Sequence, residues 1–72
     1  MLNSYQKRKA KLVAATLLMA CCGSTMPLYD LPRAAAAMNE AQWRAVSFNA
    51  GVPVLDTDAR VLVVAILECH VS

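Results

Sequence analysis

Polar and apolar positions divide the start of the chain into two unlike segments. Residues 1–11 are polar and cationic, whereas residues 12–22, LVAATLLMACC, carry no charge and one hydroxyl group. As a helix, this apolar run is about 16 Å long at about 1.5 Å per residue, roughly half the thickness of a bilayer's hydrocarbon core. The pattern therefore predicts an N-terminal apolar helix that is too short to cross a membrane by itself.

The uncharged stretch continues to Tyr29, which gives the same segment a second interpretation. Residues 12–29 are uncharged and reach about 27 Å as a helix, just enough for an uncleaved membrane anchor. Gly23 and Pro27 lie in its second half, and both residue types weaken a helix. An anchor over residues 12–29 is therefore the alternative to a short apolar helix.

The middle of the chain predicts a linker followed by an amphipathic helix. Residues 21–32 include Gly, Ser, Thr and two prolines, a composition typical of a linker. Residues 33–48 are rich in Ala, Met, Glu, Gln and Arg, which favour a helix. Pro32 fits its first turn, where the missing N–H costs little, with Asp30 or Leu31 at the cap.

The same helix has a predicted end and a predicted buried side. Gly51 followed by Pro53 is a common C-terminal signal. Glu40 and Arg44 are four residues apart and are expected to pair, and Trp43 is expected in the core or at a membrane interface. The face expected to be buried consists of four apolar residues at helical spacing: Met38, Ala41, Ala45 and Phe48.

The C-terminal apolar segment, residues 58–69, is ambiguous between helix and strand. Its Val and Ile residues favour a buried strand, but no other segment offers a partner strand, and an unpaired strand leaves its backbone unsatisfied. Asp56, Thr57 or Asp58 is a good N-cap for a helix. We therefore favour a helix, and the fold class predicted for the whole chain is small and mostly α.

Length and the distribution of charge limit the classes of function that the sequence predicts. A chain of 72 residues holds one small domain, and its hydrophobic fraction of 58% exceeds the roughly 45–50% of soluble domains. Lys7, Arg8, Lys9 and Lys11 are four of its seven cations, and the remaining residues 12–72 carry three arginines against five acidic residues. Without a basic face in that body, the sequence does not predict nucleic-acid binding.

No set of residues predicts catalysis or metal binding. The chain has one histidine, within Glu68-Cys69-His70, and adjacent residues rarely bind one ion, since a zinc site needs about four ligands. Asp56-Thr57-Asp58 lacks the later Gly and Glu of a calcium loop and instead predicts a turn and a helix cap. We therefore expect no enzyme activity, no cofactor, no metal and no small-molecule substrate.

Four residues at the end of the first apolar run carry a resemblance to a known family. A cationic segment, a short apolar run and small residues near its end form a secretory signal, and Leu18-Met19-Ala20-Cys21 resembles the lipobox of bacterial lipoproteins. The resemblance implies that Cys21 receives diacylglycerol on its thiol, that a peptidase cuts before it, and that the new amino group is acylated too.

This resemblance implies a domain organisation and an address. Residues 1–20 form a signal peptide, with an n-region over 1–11 and an h-region over 12–20. Residues 21–32 form the lipidated N-terminus and linker, and residues 33–72 a small helical body. Cys22 stands where Asp is linked with inner-membrane retention in this family. The expected location is therefore the cell envelope, lipid-anchored and facing the periplasm, in the outer rather than the inner membrane.

The predicted function is that of a small exported lipoprotein acting as a structural or interaction component of the envelope. A secretion, conjugation or lysis accessory fits this class, with membrane lipid bound through acylated Cys21 and a protein partner in the envelope. The main alternative is a membrane-active or single-pass peptide that keeps an anchor at residues 12–29. A plain secreted peptide and a cytosolic protein with a buried N-terminal helix remain as further alternatives.

The two other cysteines form a candidate disulfide. If Cys21 is lipidated, Cys22 and Cys69 remain as an even pair in an oxidising periplasm. A bridge between them closes a loop of nearly fifty residues, and the chain-entropy model gives it about 4 kcal/mol. Sequence spacing does not fix the pairing. In the competing interpretation, Cys22 belongs to the h-region and Cys69 is a small buried apolar residue.

Overall fold

Residues 3–72 are described by a computed structural model, in which four α-helices and one 3₁₀ turn follow one another. The helices are α1 (Ser4–Cys22), α2 (Leu31–Ala36), α3 (Glu40–Asn49) and α4 (Thr57–Val71), and the 3₁₀ turn is Leu28–Asp30. These described residues contain no strand. The prediction of a small, mostly helical chain is confirmed.

The first helix, α1, unites the cationic segment and the apolar run. It begins at a capping box in which the Asn3 side chain accepts a hydrogen bond from the Gln6 N–H at 2.8 Å and the Gln6 side chain accepts one from the Asn3 N–H. It ends at Cys22, before Gly23. A continuous helix over residues 12–29, as an uncleaved anchor requires, is therefore not formed. Within residues 3–72, no helix combines the length and the apolar character needed for a membrane crossing.

The single helix predicted over residues 33–48 is wrong, because the chain interrupts it at residues 37–39. Asn39 adopts an extended backbone and its side chain accepts a hydrogen bond from the Gln42 N–H at 2.9 Å. The Gln42 side chain in turn accepts one from the Asn39 N–H at 3.0 Å. This reciprocal cap starts a new helix, so α2 and α3 are separate. The predicted position of Pro32 in the first turn of α2, with Asp30 at the cap, is confirmed.

The buried side of α3 also differs from the prediction. Trp43 and Ser47 face the core, whereas Phe48 is 80% exposed and Ala41 and Ala45 are exposed as well. A tryptophan side chain carries far more apolar area than alanine. Burying Trp43 therefore outweighs burying the alanine-rich face, and the indole lies in the core.

The predicted end of α3 is confirmed in detail. Gly51 has a φ of 77°, the left-handed conformation that glycine adopts without strain. The Val52 N–H donates to the Ser47 carbonyl at 2.8 Å and the Gly51 N–H to the Phe48 carbonyl at 3.0 Å. These bonds satisfy the last carbonyls of the helix and direct the chain toward α4.

The C-terminal segment is a helix, which settles the ambiguity between helix and strand. Asp56 caps α4, because its carboxylate accepts a hydrogen bond from the Ala59 N–H at 3.0 Å. Ala59, Val63 and Leu67 recur every fourth residue and are buried. Helical hydrogen bonds within the segment replace the partner strand that the chain does not offer.

The helices α1 and α4 lie side by side and start at the same end of the molecule. The Gln6 amide donates to the Asp56 carboxylate at 2.6 Å, and the Lys9 ammonium donates to the Val54 carbonyl at 3.3 Å. Helix α2 packs against the C-terminal parts of both. The shared core consists of thirteen buried apolar residues: Ala10, Val13, Ala14, Leu17, Cys21, Leu31, Ala35, Trp43, Val52, Leu55, Ala59, Val63 and Leu67.

Candidate functional site

The predicted lipid-attachment residue, Cys21, lies in the last turn of α1 and faces the core. Its exposed fraction is 8%, and its thiol donates to the Met26 carbonyl at 3.5 Å. The segment after α1 thus folds back over the thiol. In the folded chain, Cys21 is a buried apolar contact rather than an accessible nucleophile.

An open apolar groove of about 430 Å³ lies beside Cys21. Its walls come from α1, the segment after it, α2 and the start of α3, and include Leu17, Met26, Leu31 and Met38. Apart from the thiol itself, the residues that line it carry no ionisable group. A cysteine nucleophile needs a neighbouring base or positive charge for activation, so this arrangement supports packing and not thiol catalysis.

The peptide bond that lipoprotein processing would cut is part of α1. Ala20 and Cys21 are both helical, and their carbonyls accept hydrogen bonds from the Gly23 and Ser24 N–H groups, at 3.2 and 3.1 Å. Cleavage and thiol alkylation require this turn to open, because closed helical backbone does not enter a protease site. The modification predicted for Cys21 therefore belongs to a chain whose α1 has not yet docked.

The candidate disulfide residues lie at the C-terminal ends of two adjacent helices. Cys22 is the last residue of α1 and Cys69 lies in the last turn of α4. Both are exposed, and all three thiols of the chain are free. The Cys22–Cys69 bridge stays a prediction, and the interpretation of Cys69 as a buried apolar residue is wrong.

A charged cluster joins α3 to α4. The Arg60 guanidinium donates to both carboxylate oxygens of Glu40, to the Leu55 carbonyl at 3.0 Å, and lies 5.7 Å from the Trp43 ring centre. Glu40 therefore pairs with Arg60 rather than with the predicted Arg44 through a direct ion pair. Hydrogen bonds from Arg60 hold the pKa of the Glu40 carboxyl below its ordinary value of 4.5, and Glu40 raises the pKa of Arg60.

The sequence contains one partial signal for this cluster. Aromatic and cationic residues attract when the cation lies over the ring face, which favours a partner for Trp43. Arg60, the cation that contacts both Trp43 and Glu40, is twenty residues away from Glu40 in sequence. Helical spacing rules do not reach that far. The cluster links the side chains of α3 and α4.

The cations of α1 divide between two sides of the helix. Lys7, Arg8 and Lys11 are exposed and line one shallow surface with Ser4. Lys9 instead contacts the Val54 carbonyl and lies 4.4 Å from the Tyr5 ring centre. One of the four cations therefore contacts the chain segment before α4, while the other three are exposed to solvent.

The remaining candidate ligands are dispersed. No group of three or more His, Cys, Asp or Glu side chains that could hold a metal ion occurs within residues 3–72. Asp56 serves as the cap of α4, as the turn-and-cap interpretation of residues 56–58 predicts.

Comparisons with family models, with curated proteins and with solved structures found no match to this chain. Its function is therefore inferred from its own residues and their arrangement.

Proposed function

We propose that this chain is the precursor of a small exported bacterial lipoprotein. Cys21 becomes the acylated N-terminus, and the body after it is a structural or interaction component of the cell envelope, facing the periplasm from the outer membrane. The observation that carries the proposal is the order of parts: four cations at residues 7–11, an uncharged run, and Leu18-Met19-Ala20-Cys21 at its end. No enzymatic step is part of the proposal.

The chemistry of the anchor explains the residue types. Only a thiol forms the thioether to diacylglycerol, and a small side chain such as Ala20 lets a peptidase reach the next bond. Each buried CH₂ of an acyl chain adds about 0.8 kcal/mol, and stable anchoring needs more than one chain. Diacylglycerol on Cys21 supplies two chains at one residue.

The buried position of Cys21 adds an order of events to this proposal. In the folded chain its exposed fraction is 8%, so export and modification act before α1 packs against α4. After cleavage, the four core residues Ala10, Val13, Ala14 and Leu17 leave with the signal peptide. The body then depends on its acyl chains, on an envelope partner, or on a Cys22–Cys69 bridge for stability, in line with the small core of any chain below roughly 70–80 residues.

Intact mass spectrometry of the membrane fraction tests the proposal. Expressed in a Gram-negative host, the wild-type chain is expected to lose residues 1–20 and to gain the mass of diacylglycerol. Cys21→Ser is expected to remain at full length without acyl mass. Cys22→Ser is the matched control, because it removes the neighbouring thiol and leaves the lipobox intact. A wild-type chain at full-length mass, without acyl groups, contradicts the proposal.

A second candidate function is favoured by one observation, the docking of α1 in the core. Five of the thirteen core residues belong to α1. A chain that retains residues 1–20 is then a small helical interaction domain. The same mass measurement distinguishes the two functions, since this candidate predicts the uncleaved, unacylated mass.

A further inference from the structure

The outward face of α1 has an unusual composition for a helix packed in a small core. At about 100° per residue, Arg8, Leu12, Ala15 and Met19 lie opposite the buried side of the helix, and all four are exposed. Two further exposed cations lie at the N-terminal end of one edge of this face, Lys11 at its border and Lys7 beyond Lys11 toward the buried side. We call these six residues the α1 outer face.

The cations of this face have no acidic partner. Glu40–Arg60 is the single ion pair found within residues 3–72, so Lys7, Arg8 and Lys11 lie without a carboxylate in ion-pair distance. Three unpaired cations within two turns also oppose the helix dipole, since positive charge is unfavourable near a helix N-terminus. The fold gives no structural reason for them.

The same face exposes large apolar side chains directly after the cations. Met19 is 75% exposed and Leu12 is 46% exposed, and the transfer of such side chains out of water is favourable. Cations beside exposed apolar side chains match the interface of a bilayer, where anionic headgroups lie next to acyl chains. Lysine and arginine stems extend along apolar surface while their charges stay in the headgroup layer.

We propose that the α1 outer face of the uncleaved chain binds the surface of an anionic lipid bilayer. The buried side of α1 packs against α4, α3 and α2, so the helix lies along the bilayer surface and does not cross it. Nucleic acid also presents anionic phosphates, but it offers no acyl layer for the exposed Leu12 and Met19 side chains, whereas the headgroup layer suits the cations and the exposed Tyr5 ring beside them. The proposal does not depend on acylation of Cys21, and it gives the retained chain of the second candidate function a membrane partner.

Vesicle co-sedimentation of the full chain tests the proposal. The chain is made by cell-free translation without membranes, so no signal peptidase or acyl transfer takes part. Vesicles of phosphatidylcholine with phosphatidylglycerol are compared with vesicles of phosphatidylcholine alone. We expect strong binding to the first, weak binding to the second, and weaker binding at high salt because salt screens exposed charges.

Matched variants assign the binding to the α1 outer face. Each cation near an anionic surface contributes about 1 kcal/mol, or about 5-fold in affinity, so K7Q/R8Q/K11Q is expected to weaken binding about 100-fold. Lys9→Gln is the control, because the Lys9 ammonium contacts the Val54 carbonyl and the Tyr5 ring, and it is expected to change affinity less than about 5-fold. Glutamine is a good helix former, and far-ultraviolet circular dichroism checks that each variant stays helical.

A second pair of variants tests the apolar part of the face. Met19→Gln is expected to weaken binding about 5-fold, whereas Phe48→Gln, at an equally exposed apolar residue of α3, is expected to have no effect. Equal affinity for the two vesicle types overturns the proposal, as does a triple variant that binds like wild type. Binding to an RNA oligonucleotide through the same cations, with no vesicle binding, also overturns it and assigns the face to nucleic acid.

Discussion

The helices α1 and α4 are alike in chemical character but differ in what the sequence implies for them. Both are rich in apolar residues, both begin at the same end of the molecule, and they bury one side against each other. Helix α1 also carries the cationic segment and the lipobox-like residues 18–21, whereas α4 follows a plain Asp56 cap. One helix resembles a segment destined for removal, and the other resembles an ordinary core element.

The structure gives the two helices similar importance in the core. Helix α1 contributes its small residues Ala10 and Ala14 together with Val13 and Leu17, and α4 contributes Ala59, Val63 and Leu67. An apolar run that ends in lipobox-like residues is therefore also a well-packed core helix. Apolar character alone does not separate a signal peptide from a core element, because both are built from the same residues.

Truncation of either helix is the largest test of this likeness. We expect chains 21–72 and 1–56 to lose cooperative unfolding in urea, because each deletion exposes the core that the other helix covers. Circular dichroism against urea measures the transition, with the full chain as reference. A cooperative transition in 21–72, with a slope like that of the full chain, means that the core does not need α1.

Single core leucines test the same likeness without removing a helix. Leu17→Ala in α1 and Leu67→Ala in α4 are both expected to cost about 2–5 kcal/mol of unfolding free energy, through lost burial and the cavity left behind. Leu12→Ala, on the outer side of α1, is the control and is expected to stay within about 0.5 kcal/mol. If Leu17→Ala matches the control while Leu67→Ala does not, α1 is loosely docked.

Removal of the N-caps is expected to change the unfolding free energy less than the core substitutions do, and by different amounts for the two helices. Asn3→Ala removes a cap that serves α1 alone, at a cost of about 1 kcal/mol. Asp56→Ala removes the cap of α4 and also the acceptor for the Gln6 amide, so we expect a larger loss of about 2 kcal/mol. Urea unfolding measures both, and equal losses contradict a contribution from the contact between the two helix starts.

The smallest expected effect is the pH dependence of the ion pair between Glu40 of α3 and Arg60 of α4. Arg60 lowers the pKa of Glu40 in the folded chain, so this pair contributes stability above the unfolded value, near 4.5. The contribution is lost as the pH falls through the lower folded pKa. Urea midpoints measured downward from neutral pH are expected to fall less steeply in Glu40→Gln than in wild type, and identical pH profiles contradict the assignment.

Local chemistry made much of the fold predictable. Gly51 and Pro53 predict the end of α3, the three residues 56–58 a cap at the start of α4, and Pro32 the start of α2, because caps and stops depend on a few neighbouring residues. The interruption at residues 37–39 also has a local signal in the sequence, because Asn39 followed three residues later by Gln42 is a capping-box pattern. It was missed because the alanines before it favour a helix more strongly than the cap opposes one.

The remaining features depend on contacts that are distant in sequence. The pairing of Glu40 with Arg60, the burial of Trp43 and the enclosure of Cys21 all require knowledge of which helix packs on which. Helical periodicity placed Ala41, Ala45 and Phe48 on the buried side because it weighs each apolar position alike. Residue volume, which favours Trp43, decides the orientation only once a core exists.

Because one of the three thiols is buried and two are exposed, their rates of alkylation in the unmodified chain report local opening of α1. An alkylating reagent reacts at once with Cys22 and Cys69 at the surface. It reacts with Cys21 only after the last turn of α1 opens. Counting the alkyl adducts per chain over time then reports how often that turn opens. The same count reveals whether a partner or a bilayer keeps the turn closed.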